Sequence, residues 1–134
     1  MAGCNDLTVS GDAVKTTAGV GSAPTPAGGT IMDGTYLLTK VELYPPSYPA
    51  GPWGKETLRI TGSKMEDVVQ AAFASTSETA TYSISTAGTA LMFTQICPTP
   101  MPNDGGVTPP YYYTATATTF IQMSGSFAWT YTRH

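Results

Sequence analysis

The sequence predicts an all-β, antiparallel fold in a single domain, and two observations support this. Charged residues make up only 11% of the 134-residue chain, against roughly a quarter in average soluble domains. Hydroxyl and aromatic residues take their place, and Thr, Tyr, Phe and Val favour strands. After about residue 30, short runs of such residues alternate with turn residues at the spacing typical of a β-sandwich or β-barrel.

Seven or eight strands are expected in the region 30–134. The runs that predict them most directly are 35–44, 56–61, 79–86, 89–97, 111–119, 120–123 and 126–133. In the last run, Phe127, Trp129 and Tyr131 alternate with smaller residues and share one face. The run 111–119 passes from bulky to small side chains, which favours a strand crossing a barrel.

Two places in this series leave alternatives open. Residues 63–73 have helical spacing and a capping-box pair at their start, but every neighbouring run is a strand, so we predict a strand. In the first run, Lys40 and Glu42 share the face of Tyr36 and Leu38. They point into the interior unless a β-bulge near residues 38–40 reverses the pattern.

Residues 1–29 are small and polar, and they predict a flexible N-terminal tether ahead of the domain 30–134. Two alternatives remain: Leu7–Gly11 adds a short strand to a sheet edge, or the segment donates a strand to a neighbouring molecule in a homo-oligomer. Two Pro-rich stretches, 45–54 and 98–110, cannot be central strands. They are expected to be loops, either at a binding rim or as plain connections.

The order of several short motifs resembles the lipocalin-like domains of bacterial exported lipoproteins. The motifs are GGTIMDGTYLLTKVELY, TLRITG, TYSIST, TALMFTQICP and a closing TYTR. The resemblance implies an up-and-down antiparallel β-barrel of about eight strands. In lipocalins a G-x-W turn opens the barrel and an arginine packs over the tryptophan, so Gly34, Tyr36 and Arg133 would take those places here, with Tyr replacing Trp.

Composition argues against several function classes. The net charge is −3 with six scattered Lys and Arg, so no basic surface for nucleic acid is expected. His134 is the single histidine and lies at the chain end, which disfavours Ser–His or Cys–His catalysis. No Cys, His or carboxylate spacing predicts a metal or cofactor site. We predict a non-enzymatic protein, and the alternative is an enzyme whose carboxylate pair is assembled only in space.

Aromatic residues are the remaining candidates for a ligand site. The candidates for ligand contacts or for the barrel ends are Tyr36, Trp53, Tyr112, Trp129 and Arg133. Aromatic side chains with a few polar groups suit a small apolar or sugar ligand at a barrel mouth. The other interpretation is that they only fill the core, and an open or solid interior distinguishes the two.

The two cysteines bear on the compartment. Ala2-Gly3-Cys4 matches the end of a lipoprotein signal box, which predicts a lipid on Cys4 and attachment to a membrane. The alternative is a disulfide between Cys4 and Cys97. Either alternative predicts an extracytoplasmic location, as an outer-membrane lipoprotein, in the periplasm or on the cell surface.

Overall fold

The computed structural model describes residues 3–45, 51–98 and 111–134. These residues form nine strands, which are β1 (Val14–Ala18), β2 (Gly34–Leu43), β3 (Pro52–Thr61), β4 (Lys64–Ala71), β5 (Glu78–Ala87), β6 (Ala90–Cys97), β7 (Tyr111–Ala115), β8 (Thr119–Ser124) and β9 (Phe127–Arg133). Among the described residues there is no helix long and apolar enough to cross a membrane. Most residues of the two Pro-rich stretches, 46–50 and 99–110, lie outside the described part, as do Met1 and Ala2.

Strands β2 to β9 form an antiparallel sheet that closes on itself. Each strand pairs with the next along the chain, and β9 returns to pair with β2 from Tyr36↔Arg133 to Leu43↔Phe127. Closure removes the free edges that Thr-rich strands would otherwise expose. The prediction of an all-β, antiparallel up-and-down barrel of about eight strands is confirmed.

Both ambiguities within the strand series are resolved by the pairing. Residues 63–73 contain β4, which pairs with β3 and β5 along its length, so the strand prediction is confirmed. In β2 the register shifts between Leu38 and Lys40. This β-bulge turns Lys40 to solvent and buries Val41 completely, as expected where a bulge inserts one extra residue.

Strand β1 lies where β2 and β3 separate. β2 pairs with β3 only over its first residues, Gly34 to Leu37. Beyond that point β1 lies between the two strands and pairs with both. It is parallel to β2 at Thr16↔Val41 and antiparallel to β3 at Val14↔Gly54. The tether prediction is therefore wrong for residues 14–18, and the strand does not lie at Leu7–Gly11, the position considered as its alternative.

The chain before β1 runs across the outer face of β3, β4 and β5. Asn5 Nδ2 donates to the carbonyl oxygen of Ala80 at 2.9 Å. Asp6 Oδ1 accepts a hydrogen bond from Arg59 Nη2 at 2.6 Å. Arg59 also donates two hydrogen bonds to the Glu66 carboxylate, at 2.8 and 2.9 Å. This overlay explains why polar Thr57, on the outer face of β3, is only 1% exposed.

The half of the barrel that contains the Gly34 end of β2 has a solid interior. Its apolar residues come from every strand of the closed sheet, and those below 2% exposure include Tyr36, Leu58, Ile60, Leu91 and Phe120. The Tyr36 and Phe120 rings meet edge to face, with centroids 6.2 Å apart. The interior differs at the other end, where β3 begins.

Candidate functional site

A cavity of about 190 Å³ occupies the barrel interior at the end where β3 begins. It is lined by Trp53, Glu56, Met65, Asp67, Tyr82, Phe93, Tyr111, Gln122, Trp129 and Tyr131. Alternation along the strands places nine of these side chains inside, because every second residue of a barrel strand faces the interior. Trp53 is out of phase with Glu56 on β3, and Gly54, whose φ is +129°, lies between them. The interior is therefore solid in one half and hollow in the other.

Five aromatic rings form a continuous arc around the cavity. Trp53 lies 5.9 Å from Trp129, and Trp129 lies 6.2 Å from Tyr111, between ring centroids. The arc continues from Tyr111 to Phe93 at 5.2 Å and from Phe93 to Tyr82 at 5.7 Å. Most of these pairs are tilted or edge to face, which are favourable geometries for aromatic rings. The arc offers a stiff apolar wall.

Two buried carboxyl groups interrupt this wall. Glu56 on β3 and Asp67 on β4 are hydrogen-bonded to each other and are each only 9% exposed. The hydroxyl of Tyr131, itself 2% exposed, donates to Glu56 Oε1 at 2.7 Å. The three groups thus form one polar cluster in an otherwise aromatic cavity.

The protonation of the pair follows from its burial. Desolvation, together with the neighbouring charge of Glu56, raises the pKa of Asp67 to about 10, so Asp67 keeps its proton at neutral pH. Burial also raises the pKa of Glu56, but hydrogen bonds from Asp67 and Tyr131 oppose the shift. Because Glu56 accepts from both neighbours, a negative charge on the pair is held by Glu56.

Three polar atoms in the cavity wall have no hydrogen-bond partner among the described residues. They are Nε1 of Trp53, Nε1 of Trp129 and Oδ1 of Asp67. A buried polar group without a partner costs roughly 1–3 kcal/mol, and native structures contain few of them. All three atoms belong to residues that line the cavity, and the atoms themselves are closed off from solvent.

Two of the five predicted aromatic and barrel-end candidates line this cavity, namely Trp53 and Trp129. Tyr36 is instead part of the solid core, 1% exposed, with its hydroxyl donating to the Met32 carbonyl at 2.6 Å. Tyr112 lies outside the barrel and is 46% exposed. Neither Tyr36 nor Tyr112 lines this cavity, and Tyr36 pairs with Arg133 at the opposite end of the barrel.

Arg133 lies at the opposite end of the barrel from the cavity. The β2–β9 register places it beside Tyr36 on the same face, as the resemblance to lipocalins implies. Its side chain packs so closely on Gly34 that a Cβ there would lie 2.9 Å from Nε. Its Nη1 donates to the Ala117 carbonyl at 3.3 Å, so Arg133 closes this end of the barrel.

Cys4 and Cys97 form a disulfide, with their Cα atoms 5.5 Å apart. The Cys4 amide donates to Thr79 Oγ1 at 2.7 Å, and Thr81 Oγ1 donates to the Cys4 carbonyl. A sulfur in this bond cannot also carry a thioether-linked lipid, so the structure has the second of the two alternatives for Cys4.

The sequence analysis missed the polar cluster. Glu56 lies in phase with Leu58 and Ile60, so their alternation already indicated an inward carboxylate on β3. Asp67 gave no such signal, because residues 63–73 fitted a helix as well as a strand. Glu56 and Asp67 come together through the β3–β4 register. This register pairs Leu58 with Asp67 and so places Glu56 diagonally opposite Asp67.

Comparison with known proteins bears on the fold. A solved lipocalin-like protein from Bacteroides uniformis superposes with a TM-score of 0.57 at 7% sequence identity, covering 76% of this chain and 97% of that chain. The fold is lipocalin-like. No protein-family model and no curated protein sequence matches the chain. The described residues contain no group of three or more His, Cys, Asp or Glu side chains arranged to hold a metal ion.

Proposed function

We propose that the protein is a non-enzymatic binding protein that holds one small organic molecule in the barrel cavity. The observation that supports this is a cavity in the barrel interior whose wall combines an aromatic arc with two buried carboxyl groups. The ligand is ring-sized, since a cavity of roughly 150 Å³ holds one benzene molecule.

The enzymatic alternative is disfavoured by the geometry of the carboxyl pair. Glycoside hydrolysis needs two carboxyl groups at least about 5 Å apart, with the sugar between them. Glu56 and Asp67 are instead hydrogen-bonded to each other. The alternative of a self-assembling subunit gains no support either, because β1 pairs with β2 and β3 of its own chain.

We also propose an extracytoplasmic location. The disulfide between Cys4 and Cys97 supports it, because such bonds persist in oxidising compartments and are rare in the cytosol. In this proposal the disulfide takes the place of the lipid anchor. Fractionation of cells that express the protein from its own gene tests the location, and we expect the protein outside the cytoplasm. Thiol labelling tests the disulfide, and we expect Cys4 and Cys97 to react only after reduction.

Tryptophan fluorescence tests ligand binding directly. The chain has two tryptophans, and both line the cavity, so a bound molecule should change their emission. We expect benzyl alcohol or glucose, as apolar and sugar probes, to give a saturable change. Tyr111→Ala should weaken it several-fold, whereas Tyr112→Ala, which changes the outward-facing neighbour on the same strand, should not. Unchanged emission with these two probes and with charged probes of the same size, or equal effects of the two variants, would contradict binding in this cavity.

A further inference from the structure

In the described part of the chain, no cationic side chain lines the cavity beside the carboxyl pair. None of the ten lining residues is Lys, Arg or His. β3 and β4 carry three cations, Lys55, Arg59 and Lys64. Lys55 is next to Glu56 in sequence but does not line the cavity, and Arg59 and Lys64 both contact Glu66 on the outer face. A buried carboxylate is costly unless it is paired, so a cation that entered the cavity would lower the cost of ionising the pair.

The same place has unused hydrogen-bonding capacity. Oδ1 of Asp67 accepts no hydrogen bond from the described residues, although the side chain is about nine-tenths buried and lines the cavity. Glu56 is engaged by Asp67 and by Tyr131 at one end of the cluster. This oxygen is closed off from solvent, so a donor in the cavity reaches it only when the Asp67 side chain turns.

The aromatic arc adds an independent preference for positive charge. The faces of Trp and Tyr rings attract cations, and the attraction grows when water is excluded. Trp53, Trp129 and Tyr111 are consecutive rings of the arc. Their centroids are 5.9 Å apart between Trp53 and Trp129 and 6.2 Å apart between Trp129 and Tyr111. A neutral sugar would pack against the rings but would not stabilise an ionised form of the carboxyl pair.

We propose that the ligand is a small organic cation, a protonated amine on a body of about one ring. Its ammonium group lies beside the Glu56–Asp67 pair and favours the ionised form of Glu56, while its apolar body lies against Trp53, Trp129 and Tyr111. This inference rests on the proposed function, since it names the ligand class of the same cavity.

Three probes of nearly equal shape test the inference, namely benzylamine, benzyl alcohol and benzoate. They present a cation, a neutral group and an anion on the same ring. With binding followed by tryptophan fluorescence and checked by calorimetry, we expect benzylamine to bind at least about 10-fold more tightly than benzyl alcohol, and benzoate to bind more weakly than either.

Two variants and a control locate the effect. Glu56→Gln keeps the shape and the acceptor for Tyr131 but removes the charge, so the advantage of benzylamine should fall to about 2-fold or less. Asp67→Asn serves as a second variant and should also reduce it. Glu78→Gln removes a carboxylate from an exposed position of β5 and should leave it unchanged.

The outcomes separate this inference from the proposed function. If benzyl alcohol binds as tightly as benzylamine in the wild-type protein, the cation inference is overturned while binding in the cavity stands. If the Glu78→Gln control loses the preference as fully as Glu56→Gln, the preference arises from net charge and the inference is also overturned. If none of the three probes, nor glucose, changes the tryptophan emission, both the inference and the proposed function fail.

Discussion

Removal of the Cys4–Cys97 disulfide should destabilise the protein without unfolding it. The bond joins residues 93 positions apart, and the chain-entropy model gives about 4–5 kcal/mol for a closed loop of this length. Whole domains are stable by only about 5–15 kcal/mol, so the loss is a large fraction of the total. The Cys4 amide and the Asn5 side chain keep their hydrogen bonds to β5, and the segment should therefore remain docked.

The assay is urea unfolding of the Cys4→Ser, Cys97→Ser double variant beside the oxidised wild-type protein. With a slope of about 2 kcal/mol per molar urea, the midpoint should fall by about 2 M, with no change in the native circular dichroism spectrum. Reduced wild-type protein is the matched control and should behave like the double variant. A midpoint shift below about 0.5 M would refute the reasoning, because it would show that the unfolded chain gains little freedom when the bond is removed.

Three further perturbations test other parts of the structure. The raised pKa of Asp67, about 10, means that the folded state keeps a proton which the unfolded chain releases above about pH 4. Stability should therefore decline between pH 5 and 9, by at most about 1.4 kcal/mol per pH unit, and Asp67→Asn should flatten the decline seen by thermal unfolding. Gly54→Ala should cost about 2–4 kcal/mol in chemical unfolding, because φ is +129° and a Cβ would collide with the Gln70 carbonyl oxygen. Thr16→Pro removes an amide that donates a 2.8 Å hydrogen bond to the Gly51 carbonyl oxygen. We expect the free energy of unfolding to fall by about 1–3 kcal/mol and hydrogen exchange to become faster at the edges of β2 and β3 that β1 covers. Unchanged exchange at these edges would contradict the role of β1 in protecting them.

Much of the fold could be predicted because strand alternation is a local property. Phe127, Trp129 and Tyr131 share one face by their spacing alone, and the structure turns that face inward. The bulge at residues 38–40 was also predictable, since an inward Lys40 would have been buried without a partner. These inferences need only the period of a strand and the cost of burying charge.

The candidate site was predictable only in part. Trp53 and Trp129 were identified because large aromatics with a polar tip often line ligand sites. Tyr36 and Tyr112 have the same chemistry, yet one fills the core and the other faces solvent. Composition cannot distinguish a core ring from an exposed or cavity-lining one, because the position of each ring along the barrel axis depends on the strand register.

By itself, then, the sequence determined the strand type and the approximate strand number, because these follow from residue composition and the two-residue repeat. Only the tertiary structure decided that Glu56 meets Asp67, that β1 fills the gap between β2 and β3, and that Cys4 is bonded to Cys97. Each of these is a contact between residues that are distant in sequence or on different strands. Such contacts arise from registers and barrel closure, to which no local pattern of side chains corresponds.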